Sequence, residues 1–154
     1  TIAEEIFNKL YSKYDGHCFL ANVKEETRGH GTISLKEKMF SMLLAENVKV
    51  NTANGLSNYI KRKIGRMTVL RVLGDVNDSD LLEKLFGNHG WLRQGSRIII
   101  TTRDKQVLIA NKVDDIYQVG ALKSSEAIEL FSLYAFNQNN FDMEYYKLSK
   151  RVVN

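Results

Sequence analysis

Two short apolar runs constrain this chain more than any other feature: "VLRVL" (69–73) and "RIIITT" (97–102). Buried strands of a parallel sheet read as near-continuous Val, Ile and Leu, without the alternation of a half-exposed strand. Between the two runs, Ser79 to Phe86 has helical spacing, and Gly87 follows as a stop. Strands joined by a helix pair in parallel, and the chain repeats this alternation along its length.

Ile2, Ile6, Leu10 and Tyr14 recur every fourth residue, with Glu4 and Glu5 at the start and Gly16 past the end, which predicts a first helix. "HCFLANV" (17–23) reads as a strand and "KEETRGHGT" (24–32) as a loop. Ser34-x-x-Glu37 has capping-box spacing for a helix reaching Glu46. Further helices are predicted over 55–64, ended by Gly65, over Gln106–Asn111, over Ser124–Phe136, and from Asp142 onward. "IYQV" (116–119) reads as a short strand. The expected fold is α/β, a doubly wound parallel sheet.

Bulk properties narrow the function classes. With 154 residues, 44% of them hydrophobic, the chain can bury a single-domain core. "TIAEEIFNKL" lacks the basic flank and apolar centre of a signal peptide, and starting at Thr1 suggests a piece of something longer. No apolar stretch reaches the ~20 residues a spanning helix needs, so no membrane insertion is expected. Cys18 is the only cysteine, which favours a reducing, intracellular, cytoplasmic setting. The net charge of +4 is scattered, and its densest group, Lys61–Arg62–Lys63, reads as a solvated helix face. A nucleic-acid binder concentrates charge on one face, so no direct nucleic-acid partner is expected.

Two strand ends carry chemistry: "GDVND" (74–78) and "TTRD" (101–104). In an open parallel sheet both face the crevice where ligands bind. Asp75 suits a cation, and the two hydroxyls of Thr101 and Thr102 together with Arg103 suit phosphate oxygens. Aspartates and arginines at strand ends also serve as caps and ion pairs, and spacing alone leaves both readings open. Other chemistries fit less well. "DVNDSD" begins like a calcium loop but has Asp80 where glycine is needed and Phe86 where glutamate is needed. His17, His30 and His89 lack metal-ligand spacing, and Gly29-x-Gly31 does not follow a strand directly.

The motifs then become specific. "GSRIIITTRDKQVL", "CFLANVKEE", "YQVGALKSSEAIELFSLYAF" and "VLRVLGDVND" together resemble the NB-ARC nucleotide-binding domain of plant TIR-NBS-LRR disease-resistance proteins, over essentially the whole chain. The resemblance implies a P-loop NTPase fold of the STAND type. These residues lack its first strand and phosphate loop, which would directly precede Thr1, and end just before the family's Gly-Leu-Pro-Leu motif. Residues 1–120 would form the nucleotide-binding part and 121–154 the start of the helical ARC subdomain.

By the same resemblance, ADP or ATP is the ligand with Mg2+ as cofactor, and TIR and leucine-rich-repeat domains of the same parent chain are partners. Thr1, Thr102 and Arg103 would bind nucleotide, Arg103 at the terminal phosphate. Asp75 matches the second Walker B aspartate, a catalytic or metal-binding position. Gly74 replaces the first, the magnesium ligand, and Arg71 replaces an aliphatic residue. The implied role is a molecular switch in defence signalling. The alternatives are a slow ATPase that resets the switch, and a scaffold or decayed copy that uses no nucleotide. The missing strand would lie between the strands matching 97–102 and 116–119, so the isolated piece is expected to be marginally folded.

Overall fold

The computed structural model describes residues 1–51, 57–87 and 89–136. The helix expected from Asp142 onward lies outside them. The chain divides into two compact units, Thr1–Asp114 and Asp115–Asn154.

The first unit is built on three parallel strands: β1 (Gly16–Leu20), β2 (Val69–Leu73) and β3 (Arg97–Ile100), with β2 in the centre. Gly16 pairs with Val69 through to Leu20 with Leu73, and Leu70 pairs with Arg97 through to Leu73 with Ile100. Side chains alternate between the faces of a strand. Cys18, Leu20, Val69, Arg71, Leu73, Ile98 and Ile100 therefore share one face, and Phe19, Leu70, Val72 and Ile99 share the other.

Helix α1 (Ile2–Leu10) covers the second face, where Ala3, Phe7, Leu10 and Tyr14 pack with Leu70 and Val72. Thr1 caps α1 in a reciprocal box: its hydroxyl accepts the Glu4 amide while the Glu4 side chain reaches back. A 3-10 turn, Tyr11–Lys13, follows. Gly16 is not the helix stop that spacing predicts. It opens β1, where a Cβ would sit 2.5 Å from the Leu43 carbonyl oxygen, so the strand and the end of the next helix meet through a bare backbone.

The larger core fills the first face. It joins Leu35, Met39, Phe40 and Leu43 of α2 (Val23–Leu44), Ile60 and Ile64 of α3 (Asn58–Ile64), Leu81, Leu82 and Leu85 of α4 (Ser79–Phe86), and Val107 of α5 (Lys105–Ala110). Burying each large aliphatic side chain contributes roughly 1.5–3 kcal/mol before chain entropy is charged against it.

Three expectations are corrected. Residues 24–30, predicted as loop, are helical. α2 is two helices joined across a kink at Gly31, with φ 78° and ψ 166°, and 24–30 belong to the first of them. Val23 is buried at its start, Thr27 donates back to the Val23 carbonyl at 2.7 Å, and Glu26 pairs with Lys38. Those contacts hold 24–30 helical, while Gly31 interrupts the helix as a glycine can.

Ser34 lies in the first turn after that kink and is not the residue that starts the helix. Glu37 instead accepts the Val50 amide at 2.9 Å, while Ser41 accepts that of Val48 at 2.9 Å, and both pin the chain after α2.

Residues 116–119 form no strand. Tyr117 is 85% and Val119 59% exposed, and no described strand satisfies their backbone groups, which a strand requires. In the second unit, α6 (Ser124–Phe136) occupies the predicted span, with the Ser132 hydroxyl donating to the Ile128 carbonyl.

Arg71 sits in the middle of β2, fully buried, with its guanidinium carbon 5.5 Å from the centroid of the Trp91 ring. Trp91 closes a 3-10 turn, His89–Trp91, after α4. Burial pushes the Arg71 pKa down to about 10, partly opposed by the neighbouring Cys18. Burial pushes Cys18 up to about 12, so its thiol is neutral and unreactive at physiological pH.

Candidate functional site

The carboxyl ends of β2 and β3 are joined by a compact set of main-chain bonds. The Thr101 amide donates to the Leu73 carbonyl at 2.8 Å and extends the ladder one residue past β3. The chain after β2 then turns at Asp75, which has φ 56°, a left-handed conformation that aspartate tolerates better than most residues. That turn aims the Asp75 amide at the Thr101 hydroxyl, which accepts it at 3.1 Å. The Val76 amide donates to the Thr101 carbonyl at 3.0 Å. Thr101 thus holds the turn from both its side chain and its backbone.

Beyond it, the Thr102 hydroxyl accepts the Asp104 amide at 3.0 Å and donates to the Asp104 carbonyl at 3.3 Å. The Asp104 carboxylate caps α5 by accepting the Gln106 amide at 2.9 Å. Arg103 is exposed between these two fixed neighbours. On the β2 side, Asp78 caps α4 through the Asp80 amide at 2.9 Å.

Of the residues singled out in the sequence, Asp75, Thr102 and Arg103 therefore come to one end of the sheet. Thr1 belongs to α1, and its described hydrogen bonds stay within that helix's first turn. Thr101, whose hydroxyl the sequence also offered to phosphate oxygens, instead accepts the Asp75 amide. Ala21 is the residue that sequence reasoning missed, and it carried no signal because it acts through its carbonyl.

Ala21 matters because of Gly74. The Gly74 amide donates to the Leu20 carbonyl at 2.7 Å, and its own carbonyl accepts the Val23 amide at 3.0 Å. A Cβ on Gly74 would lie 2.2 Å from the Ala21 carbonyl oxygen and 3.0 Å from its carbon, both main-chain atoms. No side chain fits there unless the β1–α2 turn moves.

The donor set can be tested against the groups the family implies. Arg103, on a rigid turn, suits a phosphate oxygen through a charge-assisted bond. Mg2+ fits less well. Gly74 supplies no ligand beside Asp75, the Asp78 and Asp104 carboxylates serve as caps, and no group of three His, Cys, Asp or Glu side chains among the described residues could hold a metal ion.

A three-stranded parallel sheet with helices on both faces, its ligand-type residues at the carboxyl strand ends, defines an α/β class whose members bind ligands at that edge. The profile of the NB-ARC domain family matches residues 1–141, and the chain belongs to that family, which has the P-loop NTPase fold of the STAND type. It is 42% identical over 157 residues to Disease resistance protein RUN1 of Vitis rotundifolia, covering 99% of this chain and 12% of that protein. It is 39% identical to Disease resistance protein RPV1 of the same species (99% and 11%) and to TMV resistance protein N of Nicotiana glutinosa (100% and 14%). The chain thus spans about an eighth of the length of these curated relatives. Among the described residues, no helix is long and apolar enough to cross a membrane.

Proposed function

We propose that the chain is part of the ADP/ATP switch of an intracellular plant immune receptor of the TIR-NBS-LRR type. It would work in the cytoplasm alongside TIR and leucine-rich-repeat domains of the same parent protein. The observation that carries this reading is the strand-end turn that presents Arg103 between two hydrogen-bonded neighbours, in a chain of the NB-ARC family.

The switch works by differential affinity. Arg103 gains a charge-assisted bond only when a terminal phosphate is present, so ATP stabilises one arrangement of the receptor relative to ADP. The 154 residues contain no G-x-x-x-x-G-K-[ST] run, so the amides and lysine that cradle the other phosphates would come from elsewhere in the parent protein. Thr1 and Thr102 would lie along the phosphate side. Asp75 would orient a water, with no ligand at position 74 to hold Mg2+ beside it. That favours retention of nucleotide over turnover, and places the slow-ATPase reading second.

The test is to purify the full-length protein, denature it and identify the nucleotide it releases. Stoichiometric adenine nucleotide from the wild type, with the diphosphate-to-triphosphate ratio raised in Arg103→Ala, supports the proposal. Protein that carries no nucleotide contradicts it.

A further inference from the structure

We propose that the Ala21 carbonyl and Gly74 form a steric closure of the strand-end metal position, so that this site takes a nucleoside triphosphate without depending on a divalent cation. The inference rests on the nucleotide-binding reading above and adds how the site treats its ligand. By the family resemblance, the metal ligand at the end of the central strand is the residue that directly follows it. Here that residue is Gly74, and its neighbours are fixed on both sides. Leu20 and Val23 hydrogen-bond its amide and carbonyl, so the backbone cannot swing to open room. The atom it would strike is the Ala21 carbonyl oxygen, at 2.2 Å, a main-chain atom between β1 and α2 and not the end of a movable side chain.

The substitution is therefore more than the loss of one carboxylate. The turn between β1 and α2 is packed into the volume that the carboxylate's first carbon would occupy. Asp75 does not take over the role. Its backbone is left-handed, with φ 56°, and its amide is held by the Thr101 hydroxyl, so the chain has already turned out of the extended strand at this residue. Mg2+ is bound by one or two carboxylates together with phosphate oxygens, so removing the carboxylate at position 74 leaves the triphosphate as its main anchor.

Two measurements on the full-length protein decide the matter. The first is the affinity for a fluorescent ATP analogue in millimolar Mg2+ and in excess EDTA. The two values are expected to agree within about threefold, and a loss of about tenfold or more on chelation overturns the proposal. Binding in neither buffer removes the nucleotide reading itself, which is a different failure from a cation effect.

The second is the thermal midpoint of Gly74→Ala and Gly74→Asp beside the wild type. Both variants are expected to melt lower, by a similar margin, because the clash begins at Cβ. A Gly74→Asp protein that melts with the wild type and gains cation-dependent binding shows the position open, and overturns the closure whatever the first measurement reads.

Discussion

The Thr101 hydroxyl accepts the Asp75 amide at 3.1 Å, and through that bond the end of β3 sets the turn that follows β2. Thr101→Val keeps the shape but leaves the amide to water or to nothing. Because Asp75 is half-buried, the loss is expected to be about 1 kcal/mol, read as a lower urea midpoint with an unchanged slope. Thr101→Ser, which keeps the acceptor, should stay within a few tenths of the wild type. Equal losses in the two variants would mean that the methyl group, not the bond, is what counts.

Arg71 tests the cost of a buried charge. Its guanidinium lies over Trp91, yet burial, partly opposed by Cys18, lowers its pKa to about 10. A base with a depressed folded pKa weakens the fold by a constant amount at all pH values below that pKa. Stability from this group is regained only as pH rises from about 10 toward the ordinary 12.5. Arg71→Met removes the charge and keeps most of the volume, so the desolvation of the guanidinium is relieved while the apolar packing is largely kept. A thermal midpoint raised by a few degrees is expected. A marked drop would show that the contacts of the guanidinium outweigh its desolvation.

Acid sensitivity follows from three carboxylates. Asp15 accepts the Thr68 amide at 2.8 Å and the Thr68 hydroxyl at 2.9 Å, and these bonds hold it below its ordinary 3.8. The Val50 amide does the same for Glu37, and the Lys63 ammonium for Glu46, relative to an ordinary 4.5. As pH falls, the unfolded chain takes up these protons first, so their stabilisation starts to fade near the ordinary values and is gone below the lowered ones. The urea midpoint should be flat through neutral pH and fall below about pH 5. Asp15→Asn should flatten the lowest part of that curve, and an unchanged acid limb would contradict the assignment.

Asp104 both caps α5 and anchors the Thr102 turn. Asp104→Ala is expected to cost about 1 kcal/mol, the usual effect of losing an N-cap. The bonds of Asp104 to the Thr102 hydroxyl use main-chain atoms that alanine keeps, so the preference for triphosphate over diphosphate is expected to persist. Loss of that preference would show that the carboxylate itself serves the site.

How legible all this was in the sequence depended on range. α4 matches its predicted span, 79–86, because its signals are local: Asp78 caps one end and Gly87 ends the other. α6 and the 69–73 strand are as predicted for the same kind of reason. The stretch 24–30 misled, since two nearby glycines resemble a loop, while the pairing of Glu26 with Lys38, twelve residues on, is invisible to a local reading. The 116–119 run has strand-like composition, but a strand exists only if a neighbour pairs with it. At the site, Asp75, Thr102 and Arg103 were legible because they follow apolar runs. The Thr101–Asp75 bond and the Ala21 carbonyl were not, since a backbone turn and a close approach of two main chains place them.

The central claim is that Arg103 makes this site distinguish ATP from ADP. The most direct measurement is calorimetric titration of both nucleotides into the full-length protein and its Arg103→Ala variant. The account predicts that the variant binds ATP at least about tenfold more weakly, a loss of roughly 1.4 kcal/mol, with ADP affinity little changed. Equal losses for both nucleotides, or no loss for either, would contradict it.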